Sequence, residues 1–325
     1  MQAISDTLGQ LKLGKPTTFE QLTVFPLFGN ASMDADYLML DEALEQEQAR
    51  VVEVSESGSV PDLRFDNLGD RKVLLVDGDE LIGAKQNRII NLTILVPAHT
   101  QIEIPVSCVE AGRWSHRSDE FSSAGRNMYA RARASKMEQV SACMKVSGDH
   151  YSDQSAVWED IADRSSDLDV SSLTGSMSDL YEQHEERLGA FRKAFMVQDD
   201  QVGAVFVVNG QVHGLEYFNS PRPFSQYLDK LVGSYAIEAM LDRGEKTGPV
   251  SDDTVTAFLN RVAGADGETY LALGEGEDLR LSGEEIAGGV LVADNHVVHL
   301  AAFDIRNTGA RTSSRARAYC NRPVH

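Results

Sequence analysis

The feature that most constrains the fold is a sixteen-residue pattern that occurs twice in the last third of the chain. Residues 203–218 read GAVFVVNGQVHGLEYF and residues 288–303 read GGVLVADNHVVHLAAF; they align without gaps and agree at six of sixteen positions. Each carries apolar residues on both sides of a central pair, Asn209-Gly210 or Asp294-Asn295, and such pairs favour the tight turn of a two-residue hairpin. The pattern predicts two antiparallel hairpins of one design.

A third segment, residues 73–83, also has apolar residues on both sides of a turn pair, Asp77-Gly78, and we predict a hairpin there as well. Three hairpins of one type are consistent with an internal duplication. Apolar alternation around a tight turn also arises by chance, so the sequence leaves both explanations open.

The whole chain divides by character into three segments. Residues 1–117 contain short apolar or alternating runs separated by Gly, Asp, Asn and Pro, which predict a β-rich lobe with antiparallel hairpins. Residues 118–198 are rich in helix formers and include the Ser/Asp-rich stretch DRSSDLDVSSLTGSMS, which we expect to be a mobile loop. Residues 199–325 combine a hairpin, two helices and antiparallel strands in an α+β lobe. The expected fold class is therefore α+β.

Helix starts and apolar stripes mark three of the expected helices. Ser176 is a predicted N-cap that begins a helix reaching to about residue 197. The apolar positions between 224 and 239 fall on one helical stripe, and a shorter helix is expected from Ser251 to about Ala263.

Charge distribution excludes some partners and favours another. The net charge of −20 repels phosphate backbones, so we expect no nucleic acid as a partner. The segment from Lys85 to Lys136 departs from this average, since its eight basic and four acidic residues give it a net charge of +4. This concentration predicts an anionic small molecule as the partner; neutralisation of acidic neighbours within the fold is the alternative.

Targeting and cofactor signals are missing from the sequence. No apolar run approaches the roughly 20 residues that cross a bilayer, and the first residues lack the layout of a secretory signal. Cys108, Cys143 and Cys320 are widely spaced and form no CxxC pair. We therefore expect free thiols, a cytoplasmic location and no membrane association. Neither a metal nor a cofactor is expected, because HExxH, Cys/His clusters and Gly-rich phosphate loops do not occur.

The segment GAKQNRIINLTILVPAHTQIEIPVSCVEAGRW, residues 83–114, carries two apolar runs with polar residues at both ends. We predict a hairpin that joins 88–96 to 102–110, with Val96 opposite Ile102. This register places Ile90 opposite Cys108 and Arg88 opposite Glu110. Arg88 and Glu110 would then lie side by side at the end of one apolar stripe.

An inward Arg–Glu pair has two explanations. It closes the end of a sheet, or it lines a pocket in which Glu110 is the candidate acid or base. Cys108 lies on the apolar stripe and is expected to be inert rather than nucleophilic. His213 and Glu216 could reach the same site only if the two lobes pack together. The ligand-binding residues predicted around Glu110 are Lys85, Gln86, Asn87, Arg88, Arg113 and Trp114.

Three phrases together resemble one prokaryotic family: LLVDGDELIGAKQNRIINLTILVPA, IPVSCVEAGRW and GAVFVVNGQVHGLEYFNSPRPF followed by LVGSYAIEA. It is the ARG- and rhodanese-phosphatase-superfamily-associated protein family, in which ARG denotes ADP-ribosylglycohydrolase, and the resemblance covers about residues 20–305. It implies an association with ADP-ribose and phosphate chemistry without defining an activity.

Two functions follow as expectations. The first is an enzyme that acts on a phosphorylated or ADP-ribose-like small molecule around Arg88, Glu110 and Arg113; the sequence does not define its reaction, and hydrolysis is one candidate. The second is a non-catalytic sensor or accessory protein that binds such a molecule or a protein partner. The sequence does not choose between them, and it predicts no oligomeric state.

Overall fold

The computed structural model describes residues 1–29, 35–55, 59, 61–242, 244, 248, 250–283, 285–310 and 320. The strands are β1 (Lys12–Leu13), β2 (Thr17–Phe19), β3 (Leu22–Phe28), β4 (Tyr37–Met39), β5 (Ala49–Glu53), β6 (Asp62–Asn67), β7 (Lys72–Leu75), β8 (Asp79–Gly83), β9 (Arg88–Ile90), β10 (Ile94–Val96), β11 (Gln101–Cys108), β12 (Glu120–Asn127), β13 (Gln201–Val208), β14 (Gln211–Phe218), β15 (Asp266–Leu271), β16 (Glu277–Ser282), β17 (Ile286–Ala293) and β18 (His296–Asp304). The helices are α1 (Gln2–Gln10), α2 (Leu40–Glu45), α3 (Ala130–Ser147), α4 (Gln154–Asp167), α5 (Met177–Glu182), α6 (Glu185–Ala194), α7 (Pro221–Leu241), α8 (Asp252–Gly264) and α9 (Ile305–Thr308). The α+β class is confirmed.

A nine-stranded sheet forms the larger body of the molecule. Its order is β1-β3-β13-β14-β18-β17-β16-β15, and β2 also pairs with β3. Strands from the first and the last of the three sequence segments therefore share one sheet. Both faces of the sheet are covered: Phe206 on β13 packs into a core that includes α3 and α7, and its neighbour Val205 packs into a core that includes α1 and α8. This double burial explains why the strand is a continuous apolar run.

The two hairpins predicted at 203–218 and 288–303 are confirmed, with matching registers. Val208 lies opposite Gln211 and Ala293 lies opposite His296, so each loop has two residues. All four loop residues have positive φ, as a type I′ turn requires. Each hairpin also carries one extra residue at the same place, His213 in β14 and Val298 in β18.

The two hairpins pair with each other through β14 and β18. Glu216 lies opposite Ala301, which is its own equivalent in the second hairpin. A local two-fold axis therefore passes between these residues. An internal duplication would leave loops of equal length, bulges at equivalent positions and symmetric pairing. The two hairpins show all three, so their registers agree with a duplication.

A closed barrel holds the second body of the molecule together. Its order is β11-β6-β5-β12-β8-β9, and a small sheet of β10, β7 and β4 lies beside it. Apolar side chains fill the barrel and the space under the small sheet, among them Val51, Phe65, Leu81 and Ile104.

The hairpin expected at 73–83 is wrong. The one that joins 88–96 to 102–110 is correct only in part, because residues 88–90 pair antiparallel with 106–108 whereas 94–96 pair with β7. The turn at Asp77-Gly78 exists, but β7 pairs with β10 while β8 pairs with β9. The pairs Leu74–Leu95 and Glu80–Ile89 share one register, so residues 72–83 form a long bent hairpin with 88–96. Gly78, at φ +86°, bends the strand from the small sheet into the barrel instead of reversing the chain.

In the helical middle segment, the loop is shorter than expected and one expected helix is divided into two. The first five residues of the Ser/Asp-rich stretch complete α4, so the connection to α5 spans 168–176. Ser176 is the N-cap of α5, as predicted, because its hydroxyl accepts a hydrogen bond from Ser178 N at 3.2 Å. The single helix expected there is two, α5 and α6. None of the described helices has both the length and the apolar character that a membrane crossing requires.

The expectation of three free thiols is wrong. Cys143 on α3 and Cys320 form a disulfide, with their Cα atoms 5.3 Å apart. The two residues are 177 positions apart in sequence, so only the fold brings them together. Cys108 is buried and lies outside the disulfide.

Thiol titration of the unreduced, denatured protein should therefore detect one thiol per chain, and titration after reduction should detect three. In the native state Cys108 should react slowly because it is buried in the barrel. Three reactive thiols before reduction would contradict the disulfide.

Candidate functional site

Glu110 does not pair with Arg88 as predicted. Cys108 lies opposite Arg88 rather than Ile90, a shift of two residues that leaves the side chains on the predicted face. Beyond β11, Glu110 forms an isolated bridge with Ser176. Its carboxylate therefore faces the connection before α5 and pairs with Arg113, with 2.7 Å between Glu110 Oε2 and Arg113 Nη2.

The Glu110 carboxylate is held from several directions. Oε2 accepts hydrogen bonds from Arg113 Nε at 2.8 Å and from Asn87 N at 3.2 Å. Oε1 accepts one from Thr174 Oγ1 at 3.0 Å. This set fixes the carboxylate in one orientation and connects the segment before α5 to the barrel.

Arg113 is engaged within the protein at every nitrogen. Besides Glu110, its guanidinium donates to the carbonyl oxygens of Gly83, Ala84 and Ser115 and to Asn87 Oδ1, at 3.0–3.2 Å. Arg113 therefore connects the end of β8 to the segment that follows β11, and its hydrogen bonds have a structural role.

Arg88 and Lys85 lie near Trp114. The guanidinium carbon of Arg88 is 5.7 Å, and Lys85 Nζ is 5.5 Å, from the centroid of the half-exposed indole ring. Arg88 is fully buried and donates from Nη1 to Gln86 Oε1 at 2.9 Å. Its Nε and Nη2 have no acceptor among the described residues, and burial lowers its pKa. The pKa of Cys108 is raised to about 11 by burial, so it stays protonated at neutral pH.

A polar cleft of about 660 Å³ opens beside Glu110, and we name it the Glu110 cleft. Hydroxyl groups, carboxylates, one amide and one guanidinium provide most of its polar surface. Its lining residues are Ile82, Gly83, Asn87, Glu110, Arg117, Ser118, Ser122, Ser171, Leu173, Thr174, Ser176, Ser178, Asp179 and Glu182. Of the seven predicted site residues, the cleft includes Asn87 and Glu110. Arg113 contacts both of these residues, and Gln86 Nε2 donates to the Glu110 carbonyl oxygen at 3.0 Å. Arg88, Trp114 and Lys85 are linked to Gln86 by the hydrogen bond and ring contacts given above.

A chain of hydrogen bonds connects two lining residues, Asn87 and Ser178, to the buried Glu80. Asn87 Nδ2 donates to Ser178 Oγ at 3.1 Å, and Ser178 Oγ donates to Glu80 Oε1 at 2.8 Å. Glu80 is fully buried, and Arg126 Nε lies 3.5 Å from its Oε2. Burial raises the pKa of Glu80 to about 7, although Arg126 and Ser178 act in the opposite direction.

Three residues of this site were missed by the sequence reasoning. Glu80 follows the Asp77-Gly78 turn, which seemed to explain the local acidic residues. Ser178 is two residues after the predicted N-cap, Ser176, and the sequence pattern assigns it no role of its own. Arg117 was counted in the positive segment but not separated from it; its guanidinium is exposed in the cleft and has no hydrogen bond or ion pair within the described part of the chain. The burial that distinguishes Glu80 from other acidic residues near turns is visible only in the structure.

His213 and Glu216 do not reach the Glu110 cleft. Glu216 pairs with Arg133 inside the molecule, with 2.5 Å between the carboxylate and Nη1. His213 is the extra residue of β14, and burial lowers its pKa to about 4. Among the described residues, no group of three or more His, Cys, Asp or Glu side chains could hold a metal ion.

Comparison with known proteins gives a family and nothing closer. No curated protein and no solved structure matches the chain. One family model, described as the ARG and Rhodanese-Phosphatase-superfamily-associated Protein domain, matches residues 10–303. This match spans most of the 325 residues. The chain therefore belongs to the ARG- and rhodanese-phosphatase-superfamily-associated protein family.

Proposed function

We propose that this chain is a cytoplasmic enzyme that binds an ADP-ribose-like or other phosphorylated sugar in the Glu110 cleft and acts on it. The observation that carries the proposal is the composition of the cleft wall, in which six Ser and Thr residues, three acidic residues and Asn87 surround a volume of about 660 Å³. Sugar hydroxyls both donate and accept hydrogen bonds, and these side chains offer both kinds of partner. The volume is that of a small-molecule site.

Arg117 supports the phosphate part of the proposal. Arg88 is fully buried, and every side-chain nitrogen of Arg113 already donates a hydrogen bond within the protein. The Arg117 side chain, by contrast, is exposed and lines the cleft. A guanidinium binds a phosphate through two parallel hydrogen bonds, which a lysine cannot reproduce. The family name, which records an association with ADP-ribosylglycohydrolases and phosphatases, points to the same ligand class.

A non-catalytic sensor is the second candidate, and the state of Glu110 favours it. Both oxygens of this carboxylate already accept hydrogen bonds from the protein, so Glu110 is poorly placed to exchange a proton with a ligand. A sensor would bind the same ligand without product formation. Product analysis by chromatography after prolonged incubation separates the two candidates.

Titration calorimetry with ADP-ribose and with ribose 5-phosphate tests the binding proposal. We expect Arg117→Gln to weaken binding of both by about tenfold or more, because one charged hydrogen-bonded contact to phosphate is lost. Adenosine, which has no phosphate, should show no such dependence on Arg117.

Lys15→Gln is the matched control, since it removes one positive charge from an exposed residue outside the cleft lining. An equal loss in both variants would mean that overall charge, not the cleft, governs binding. If the unmodified protein binds none of these phosphates, the proposed function is wrong.

A further inference from the structure

We propose that Ser178 is the nucleophile and Glu80 the general base of an esterase reaction in the Glu110 cleft, which removes an acyl group from a sugar hydroxyl. The inference rests on the proposed function, because the cleft must first hold the sugar. It adds a reaction and a substrate class: a carboxylic ester of a phosphorylated sugar.

The hydrogen-bond partners of Ser178 orient its hydroxyl group. Arg113 Nη2 donates to Asn87 Oδ1 at 3.0 Å, so the Asn87 amide presents its NH2 group to Ser178. Ser178 Oγ accepts that hydrogen bond and points its own hydrogen at Glu80 Oε1, 2.8 Å away. An sp³ oxygen has two lone pairs, and Asn87 uses one. The second remains available on an atom whose residue lines the cleft.

Glu80 has the surroundings of a base that works near neutral pH. It is fully buried, and burial raises its pKa to about 7. The charged groups that influence it are Arg126 on β12, Glu182 on α5 and Glu110 after β11. Arg126 also donates to the Ser178 carbonyl oxygen at 3.0 Å, which holds the base and the nucleophile in one frame. A nucleophile, a base and a third group that orients the base is the arrangement that activates a hydroxyl group.

The reaction balances without any additional reagent except water. Ser178 Oγ forms a bond to the acyl carbon as its proton passes to Glu80 Oε1. The bond from that carbon to the sugar oxygen breaks, and the sugar oxygen leaves with the electron pair and takes the proton from Glu80. Water then attacks the acyl-serine and loses a proton to Glu80. The bond from the acyl carbon to Ser178 Oγ breaks, Ser178 Oγ takes that proton back from Glu80, and the carboxylic acid is released.

Asn87 can assist at the acyl carbon. Its Nδ2 carries a second hydrogen for which the described residues provide no acceptor. A donor of this kind stabilises the negative charge that develops on an acyl oxygen. A glycosidic bond is a less suitable target, because its cleavage uses two carboxylates at the anomeric carbon and not a serine.

The test uses O-acetylated ribose 5-phosphate as substrate and a fluorophosphonate as a serine-directed label, both with the full-length chain. We expect acetate release by the unmodified protein and one covalent label, which peptide mass spectrometry should locate on Ser178. Ser178→Ala should reduce turnover on the order of 10³-fold or more and abolish labelling.

The pH profile provides a readout that a structural role for Glu80 would not change. Turnover should rise as the pH increases through about 7, because only the deprotonated carboxylate accepts the serine proton. Glu80→Gln should remove most of the activity and this rise together. Ser225→Ala, on the exposed surface of α7, is the control and should behave as the unmodified protein does.

Two outcomes overturn the inference while leaving binding intact. One is ADP-ribose binding without ester hydrolysis or labelling, and the other is equal turnover by Ser178→Ala. The labelling experiment needs only the unmodified protein, so it remains a test even if a variant fails to fold. Label on any residue other than Ser178 contradicts the assignment. Absence of ADP-ribose binding instead counts against the proposed function.

Discussion

Replacing Glu216 with glutamine is expected to lower the free energy of unfolding by about 3–5 kcal/mol, which is the usual cost of breaking a buried ion pair from one side. Glu216 and Arg133 are both fully buried and lie 2.5 Å apart. Asp77 is 3.5 Å from Arg133 Nε and also pairs with Lys136, so it cannot fully replace the lost carboxylate. Urea denaturation followed by circular dichroism measures the change.

A surface pair provides the matched control. Glu185 pairs with Arg192 at 2.7 Å, but its side chain is 60% exposed, so Glu185→Gln should change stability by less than about 1 kcal/mol. The double variant Arg133→Met with Glu216→Leu should recover much of the loss, because apolar residues remove the uncompensated charge. If Glu216→Gln and Glu185→Gln had equal effects, the buried network would not stabilise the fold in this way.

The second large effect is expected from Gly78→Ala, which should destabilise the protein by about 2–5 kcal/mol. Gly78 has φ +86°, where an alanine costs about 1–2 kcal/mol. A Cβ atom there would also lie 2.6 Å from Asn127 Oδ1 and 2.9 Å from Arg133 Cδ. Neither neighbour can move easily, because Asn127 is hydrogen-bonded to Tyr227 and Arg133 forms an ion pair with Glu216. Overpacking of this kind adds about 1–3 kcal/mol.

Gly125→Ala separates the two contributions. Gly125 also has a positive φ, +65°, but a Cβ atom there meets no other atom within 4 Å. Its replacement should cost only the backbone strain of about 1–2 kcal/mol. Thermal and urea denaturation of both variants should show the larger loss for Gly78→Ala. Equal losses would mean that the bend at Gly78 tolerates a side chain.

Local sequence was sufficient where the partner of a segment is its own neighbour. The turn pairs Asn209-Gly210 and Asp294-Asn295 select one backbone conformation, and the apolar residues on both sides then pair across a two-residue loop. Ser176 and Ser251 begin helices at the predicted places for a similar reason, because an N-cap satisfies backbone N–H groups within the same turn.

The same kind of signal misled at Asp77-Gly78. The local pattern there matches a hairpin, yet β7 and β8 do not pair with each other. β7 pairs with β10 and β8 pairs with β9, and both partners follow later in the chain. A strand that continues through a glycine bend buries its apolar residues in two sheets. Whether the chain bends or reverses at the glycine depends on which distant strand is available to pair with it. Nothing within the eleven residues of 73–83 contains that information.

The sequence by itself determined the α+β class, the two type I′ hairpins and the helix starts, because each depends on residues a few positions apart. Only the tertiary structure decided that Glu110 meets Thr174, that Cys143 meets Cys320, and that Ser178 lies between Asn87 and Glu80. These contacts join segments as much as 177 positions apart. Their partners are chosen by how the barrel, the sheet and the helices bury their apolar faces together, and a side chain meets its partner only after that packing is complete.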